Sequence, residues 1–345
     1  MFKTKLFPVF AFSLMFCSCQ NSDNGVIMPT EFNTPVSLDK NIDSISTLIL
    51  SDSLDADLYF QRAELYLKNN SLRLGSADLD KSVELNPKNA KYWFKLGVLN
   101  FSKQETRAAR DCWITCSNLD SRNIDCRLSL AEMFLAVGEL KKGQNRLNEI
   151  LAFDPKNSYA LYLTGNFALM SNDTTKAIKY MQSAINENQE LFKAYDQLGV
   201  LYSSKKNLLA IDYFNSALRL KPNQFDVHYK VAIFYQKMGF FDQATQAYLR
   251  VLELNASHEL SLHNLGAIGI FTKDYISAKK YFSMAISQNS SYLEAYFGRA
   301  YTYELMGDFL RSESDYRISL MLDPAYLPSI DGLSRLEVEN LDLVK

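Results

Sequence analysis

The sequence predicts an all-α fold: a solenoid of about eight antiparallel helix pairs with a capping helix at each end. Three periodic series predict it. Small residues recur at Ala63, Gly97, Ala131, Gly165, Gly199, Ala232, Gly266 and Ala300, every interval being 34 residues except one of 33. A second small series runs Gly75, Ala109, Gly143, Ala177, Ala210, Ala244, Ala278 and Ser312, and a large apolar series follows four residues later at Leu79, Trp113, Leu147, Met181, Phe214, Tyr248, Phe282 and Tyr316. Two helices cross closely only where side chains are small, and a bulky residue one turn further on fills the adjoining groove. Each period is therefore one helix pair, and stability comes from stacking neighbours.

Taken in chain order, residues 1–18 have the layout of a cleaved leader: Lys3 and Lys5, then an apolar run from Leu6 to Phe16. Eleven residues are too few for a permanent membrane-spanning helix. The stretch "FCSC" resembles a bacterial lipoprotein signal. Ser18 supplies the small residue ahead of a lipid-bearing Cys19, whereas Phe16 does not do so for Cys17, and Phe16 replaces the usual leucine three residues before Cys19. The alternative is an ordinary secretory leader or an uncleaved segment. The resemblance implies lipid attachment at Cys19 and anchoring without spanning. Gln20 in place of the aspartate that retains enteric lipoproteins in the inner membrane implies the outer membrane, facing the periplasm, with exposure at the cell surface as the alternative. Residues 19–37 form a tether containing two prolines and a glycine, and residues 20–36 reach about 55 Å fully extended.

Residues 38–55 carry Ile42, Ile45, Leu48 and Ile49 on one helical face, suited to covering the first repeat, and residues 56–326 hold the eight repeats. Turn signals fall at Gly138, Asn172, Asp173, Gly239 and Gly307, while Pro87, Pro155, Pro222 and Pro324 close repeats. The single 33-residue interval places a deletion in the internal turn of the fifth repeat. Residues 327–345 form a second capping helix and tail, with Ile330, Leu333, Leu336 and Leu341 on its apolar face, so that both ends are expected to be closed.

The second repeat, "AKYWFKLGVLNFSKQETRAARDCWITCSNLDSRN", holds Trp93, Leu96, Gly97, Ala109 and Trp113 at the spacing of the tetratricopeptide repeat, and the chain resembles that family over residues 56–326. Tyr202 and Tyr303 match its first-helix tyrosine; Asn100 replaces that residue in the second repeat, and Ser121, Gln189, Ala256 and Ser290 replace the closing proline. The resemblance implies a right-handed superhelix whose first helices line a concave groove that binds proteins or peptides. Carried over, the groove is lined at one level by Phe60, Phe94, Leu128, Tyr162, Asp196, Tyr229, His263 and Phe297. At the next level it is lined by Glu64, Val98, Glu132, Asn166, Val200, Ile233, Ala267 and Tyr301. This floor is mostly apolar and aromatic, which suits a helix or extended peptide with hydrophobic anchors; the competing reading packs the same rings between adjacent first helices. The carboxylate clamp of chaperone-type members is not assembled, because Phe60 and Glu64 occupy its first two positions and only Asn264 fits in kind.

Other chemistry finds little support. The histidines are His228, His258 and His263, without zinc-motif spacing, and no phosphate-binding loop, nucleophile elbow or dinucleotide fingerprint occurs. The expectation is a non-enzymatic scaffold with no cofactor and no metal. Losing Lys3 and Lys5 with the leader takes the formal charge from −2 to about −4, with no basic stripe for phosphates, so nucleic acid is not an expected partner. Cys112, Cys116 and Cys126 read first as three buried or free thiols, with a bridge from Cys126 to Cys112 or Cys116 as the alternative. The resemblance to lipoproteins of this architecture implies clients in outer-membrane assembly, secretion or motility machinery.

Overall fold

The computed structural model describes residues 35–343, and side chains from 40 to 337. The leader, Cys19 and most of the tether lie outside the described residues, as does the side chain of Leu341. Among the described residues there are eighteen helices and no strand. α1 (Pro35–Ser51) precedes eight pairs: α2 (Ala56–Lys68) with α3 (Leu72–Leu85), α4 (Ala90–Ser102) with α5 (Thr106–Leu119), α6 (Ile124–Ala136) with α7 (Leu140–Phe153), and α8 (Ser158–Met170) with α9 (Thr174–Glu187). The series continues with α10 (Phe192–Ser204) and α11 (Leu209–Leu220), α12 (Phe225–Lys237) and α13 (Phe241–Leu254), α14 (Glu259–Phe271) and α15 (Tyr275–Gln288), α16 (Leu293–Leu305) and α17 (Phe309–Leu322), and ends on α18 (Leu327–Leu343). The chain divides into two compact units, Met1–Cys126 and Arg127–Lys345, each built from the same repeat.

We number each repeat from the first residue of its first helix, so that Ala56, Ala90 and Leu293 stand at position 1. The small residue at position 8 and the large one at position 24, or 23 in the fifth repeat, which is one residue short, form one interlock. A Cβ on Gly97 would lie 2.5 Å from the Trp113 indole nitrogen, on Gly199 2.4 Å from the Phe214 ring, and on Gly266 2.8 Å from the Phe282 ring. The large residues are in consequence fully enclosed; Leu79, Leu147, Met181, Tyr248 and Tyr316 expose nothing. Burying one such side chain stabilises by about 1.5–3 kcal/mol, repeated down the array.

The turn inside every repeat is closed the same way. Position 15 takes the left-handed conformation in all eight: Asn70, Gln104, Gly138, Asn172, Lys206, Gly239, Lys273 and Gly307 have φ between 52° and 79°. The next residue then donates its N–H back to the carbonyl of position 11, as Ser71 does to Tyr66 at 2.8 Å and Asp308 to Tyr303 at 2.9 Å, which satisfies a helix-end carbonyl. Second helices are started by side-chain caps where the sequence supplies an aspartate: Asp173, Asp274 and Asp308 accept from backbone N–H groups three residues on, whereas the longer Glu105 and Glu139 make no such bond. The fifth repeat keeps its left-handed Lys206, and the missing residue is taken from α11, which has 12 residues where the other second helices of the repeats have 14. The deletion thus falls just past the turn, at the start of the helix.

Two expectations are corrected. Cys116 in α5 and Cys126 in α6 form a disulfide with Cα atoms 6.2 Å apart, and among the described residues Cys112 stays a free, buried thiol, pushed up to about 11 by burial. The reason lies in the repeat: Cys116 is at position 27 and Cys126 at position 3 of the following repeat. The same two positions bring the Ser319 and Ser329 hydroxyls into hydrogen bond. The ends are also more open than expected. Ile49 and Leu336 are buried, but Leu48 and Ile330 are 49% and 39% exposed.

A left-handed backbone costs an L-residue about 1–2 kcal/mol, which glycine avoids at some expense in unfolded-state entropy. Gln104→Gly and Lys273→Gly should each raise stability, by up to about 1 kcal/mol, in urea unfolding. The same substitution at exposed, ordinary helical Lys280 should lower stability by a similar amount.

Candidate partner-binding face

The candidate residues sit at positions 5 and 9 of the first helices, where one first helix meets the next within each compact unit. The structure removes Phe60 from the set. Its ring is 1% exposed, stacked 5.0 Å from Tyr92 and capped by the Lys91 ammonium 4.4 Å above it, so it is core. Phe94, Val98, Leu128, Tyr162, Asn166, Tyr229, Ile233, His263, Phe297 and Tyr301 are all half-buried, each presenting part of its side chain to solvent.

Neighbour packing holds these rings in place. In the first compact unit the Phe94 carbonyl accepts from the Trp113 indole N–H at 3.3 Å, tying the strip to the interlock beneath it. In the second, the Tyr229 hydroxyl accepts from Asn264 at 3.3 Å and its ring lies 4.8 Å from His258. His263 is wedged 5.5 Å from both Phe282 and Tyr292, and Phe297 lies 5.7 Å from Tyr326 and 6.3 Å from Tyr301. Burial lowers His263 to about 4, so it is a neutral ring at pH 7, and the same cause raises Tyr162.

The acids that interrupt the strip are matched by groups one repeat further on. Glu64 pairs with Lys95 at 3.1 Å and Asp196 with Lys230 at 2.7 Å. Glu132 accepts from the Tyr159 hydroxyl, which in turn takes a hydrogen bond from Lys193 at 3.3 Å. Such partly exposed pairs contribute little to stability, but the two lysines neutralise Glu64 and Asp196, while Glu132 keeps its charge beside the Tyr159 hydroxyl. What remains is an apolar and aromatic surface on which two of the three acids are paired with lysine. Lys95, Lys193, Lys230 and Tyr159 were not among the candidates from the sequence. Their signal was present as opposite charges about one repeat apart, at Glu64 with Lys95 and Asp196 with Lys230. Among the described residues no group of His, Cys, Asp and Glu is placed to hold a metal, and no helix is long and apolar enough to cross a membrane.

Comparison with known proteins agrees with this architecture. Residues 56–89, 128–190 and 293–326 match family models described as the tetratricopeptide repeat, so the chain carries tetratricopeptide repeats. The C-terminal part of a TPR repeat-containing protein from Cytophaga hutchinsonii superposes with a TM-score of 0.60 at 19% identity, over 70% of this chain and 99% of that one. PilF of Pseudomonas aeruginosa superposes with a TM-score of 0.52 at 22% identity, over 60% of this chain and 94% of that one. The human protein O-mannosyl-transferase TMTC3 is 24% identical over 68% of this chain. The chain spans only 27% of TMTC3, and 39% of a repeat protein from Methanocaldococcus jannaschii. Folds of this kind generally serve as non-enzymatic scaffolds for protein–protein interaction.

The His263 imidazole titrates near 6.5 when unfolded and near 4 when folded. Between those values the unfolded chain holds more protons, so stability falls as pH is lowered through that window. Phenylalanine occupies this position in the first, second and eighth repeats. His263→Phe should therefore fold, and should remove up to about 3 kcal/mol of the loss, read as the difference in melting between wild type and variant at pH 7 and pH 4.5.

Proposed function

We propose that the protein is a lipid-anchored adaptor that holds an envelope protein or peptide on its first-helix face. The observation that carries the reading is a strip of half-exposed rings and aliphatic side chains in each compact unit, Phe94 and Val98 in the first and Tyr162 to Tyr301 in the second, with Glu64 and Asp196 paired to lysines and Glu132 hydrogen-bonded by Tyr159. Such a surface rewards a partner that brings apolar anchors, either on one side of a helix or at alternate residues of an extended peptide. Charge steering contributes less, because two of the three acids are already paired with lysine.

The lipoprotein-like stretch, with Ser18 ahead of Cys19 and Gln20 behind it, supports lipid attachment at Cys19 and an outer-membrane position facing the periplasm. The Cys116–Cys126 disulfide supports a compartment outside the cytosol, since such bonds persist where conditions are oxidising. Clients belonging to assembly, secretion or motility machinery of the envelope fit this placement.

Crosslinking in intact cells, purification through a C-terminal tag and mass spectrometry should recover specific envelope proteins with the wild type and lose them with Cys19→Ala. A catch that is unchanged by the substitution, or cytosolic, overturns the anchored reading. Phe94→Ala with Tyr162→Ala should weaken partner capture at least tenfold, about 1.4 kcal/mol, with helicity retained and only a moderate fall in melting, since both rings are half-buried. A large fall in melting temperature would instead assign both rings to the core and sink the binding role of the strip.

A further inference from the structure

The two ends of the chain carry complementary halves of one repeat. α1 stands in the register of a second helix. Its Ser46 hydroxyl accepts from Arg62 Nη1 at 3.0 Å, while Arg62 forks onto Asp78 at 2.7 and 2.8 Å. Ser283 of α15, a second helix, does the same for Arg299, which forks onto Asp315 at 2.7 and 2.9 Å. α1 also ends as second helices do, with the Asp52 N–H on the Leu48 carbonyl at 2.9 Å where Asn86 bonds Ser82 at 3.0 Å and Asp120 bonds Cys116 at 3.0 Å.

α18 stands in the register of a first helix. A Cβ on Gly332 would lie 2.4 Å from the Tyr316 ring, as one on Gly298 would lie 2.4 Å from Phe282. Ser334 follows Ala300 by 34 residues and extends the position 8 series of small residues.

Each helix lacks its partner among the described residues, and the bared faces are those the partner would cover. Leu48 is at position 27, where Cys116, Ile150, Val251 and Ala285 are 0% exposed; Leu48 is 49% exposed. Ser334, at a position enclosed in all eight repeats, is exposed on α18 beside Ile330, itself 39% exposed.

We propose that α18 of one molecule packs against α1 of a second copy, completing a ninth helix pair across the joint. The occupant is fixed by continuity: a second helix without a first at one end, a first helix without a second at the other, both in the register of the interface already repeated eight times. Position 8 meets position 20 inside a repeat, as the 3.3 Å approach of a Gly75 Cβ to the Ala63 carbonyl shows, so Ser334 meets Asn41, with Ile330 and Leu333 against Ile45 and Leu48. Asn41 replaces the glycine, alanine or serine of the other second helices, making the joint polar at its closest approach and looser than an internal one. A contact between unlike faces propagates head to tail, into rings or open filaments.

The test is sedimentation of the purified full chain over a wide concentration range, with Cys19→Ala in every sample so that acyl chains contribute nothing. Leu48→Glu disables the head and Ile330→Glu the tail; both side chains are exposed, and unchanged circular dichroism checks folding. Expected are growth of the parent beyond dimer as concentration rises, monomers for each variant alone, and a dimer when the two variants are mixed, through the intact tail of one and the intact head of the other. A parent that stays monomeric, or a mixture that fails to pair, overturns the proposal. So does association that appears only after removal of residues 1–34, which would assign the α1 face to the chain's own N-terminal segment.

Discussion

Everything in this fold depends on one steric exchange: a residue with almost no side chain at position 8 makes room for the bulkiest residue of the repeat at position 24. At Gly97, Gly199 and Gly266 an added methyl group would overlap a ring, so the two positions are chosen jointly. The exchange sets how closely the helices of a pair approach and buries the large side chain completely. Because it recurs at a constant period, every repeat presents its outer residues in the same register as the last.

Constant register lets side chains far apart in sequence work together. Glu64 reaches Lys95 and Asp196 reaches Lys230 because positions on successive first helices are displaced by one repeat. The first-helix strip of each unit is thus partly ordered before any partner arrives, its rings held in the second unit by Tyr292, Tyr326 and His258 and its acids held by lysine or tyrosine. Pre-ordering lowers the entropy lost on binding, and partial exposure leaves apolar area for a partner to cover. The same register brings positions 27 and 3 of consecutive repeats together. Cysteines bond there between the second and third repeats, and serines meet between the last pair and α18.

The terminal repeats differ from the inner ones in a consistent way. At position 7, where Leu96, Leu198 and Leu265 are buried, the first and last repeats place Arg62 and Arg299, each forked onto an aspartate. An arginine tolerates the wetter surroundings near an end, since its stem packs while its head keeps charged hydrogen bonds. Sequence thus signals the ends of the array inside the repeats themselves as well as by α1 and α18.

The sequence by itself determined the period, the helix pairs and the interlock, because each follows from local size and spacing. It also determined the left-handed turns at Gly138, Gly239 and Gly307, where glycine marks the conformation. It did not reveal the same turn at Gln104 or Lys273, whose conformation is imposed by the helices on either side. Only the tertiary structure decided that Phe60 is core while Phe94, one repeat later, is half-exposed, since the Tyr92 ring and the Lys91 ammonium close over the first and not the second. It alone chose Cys116 over Cys112 as the partner of Cys126, and left Leu48 bare where the same position is covered in every complete repeat. These outcomes depend on which neighbouring helix is present and what it carries, and a one-dimensional pattern of sizes does not contain that information.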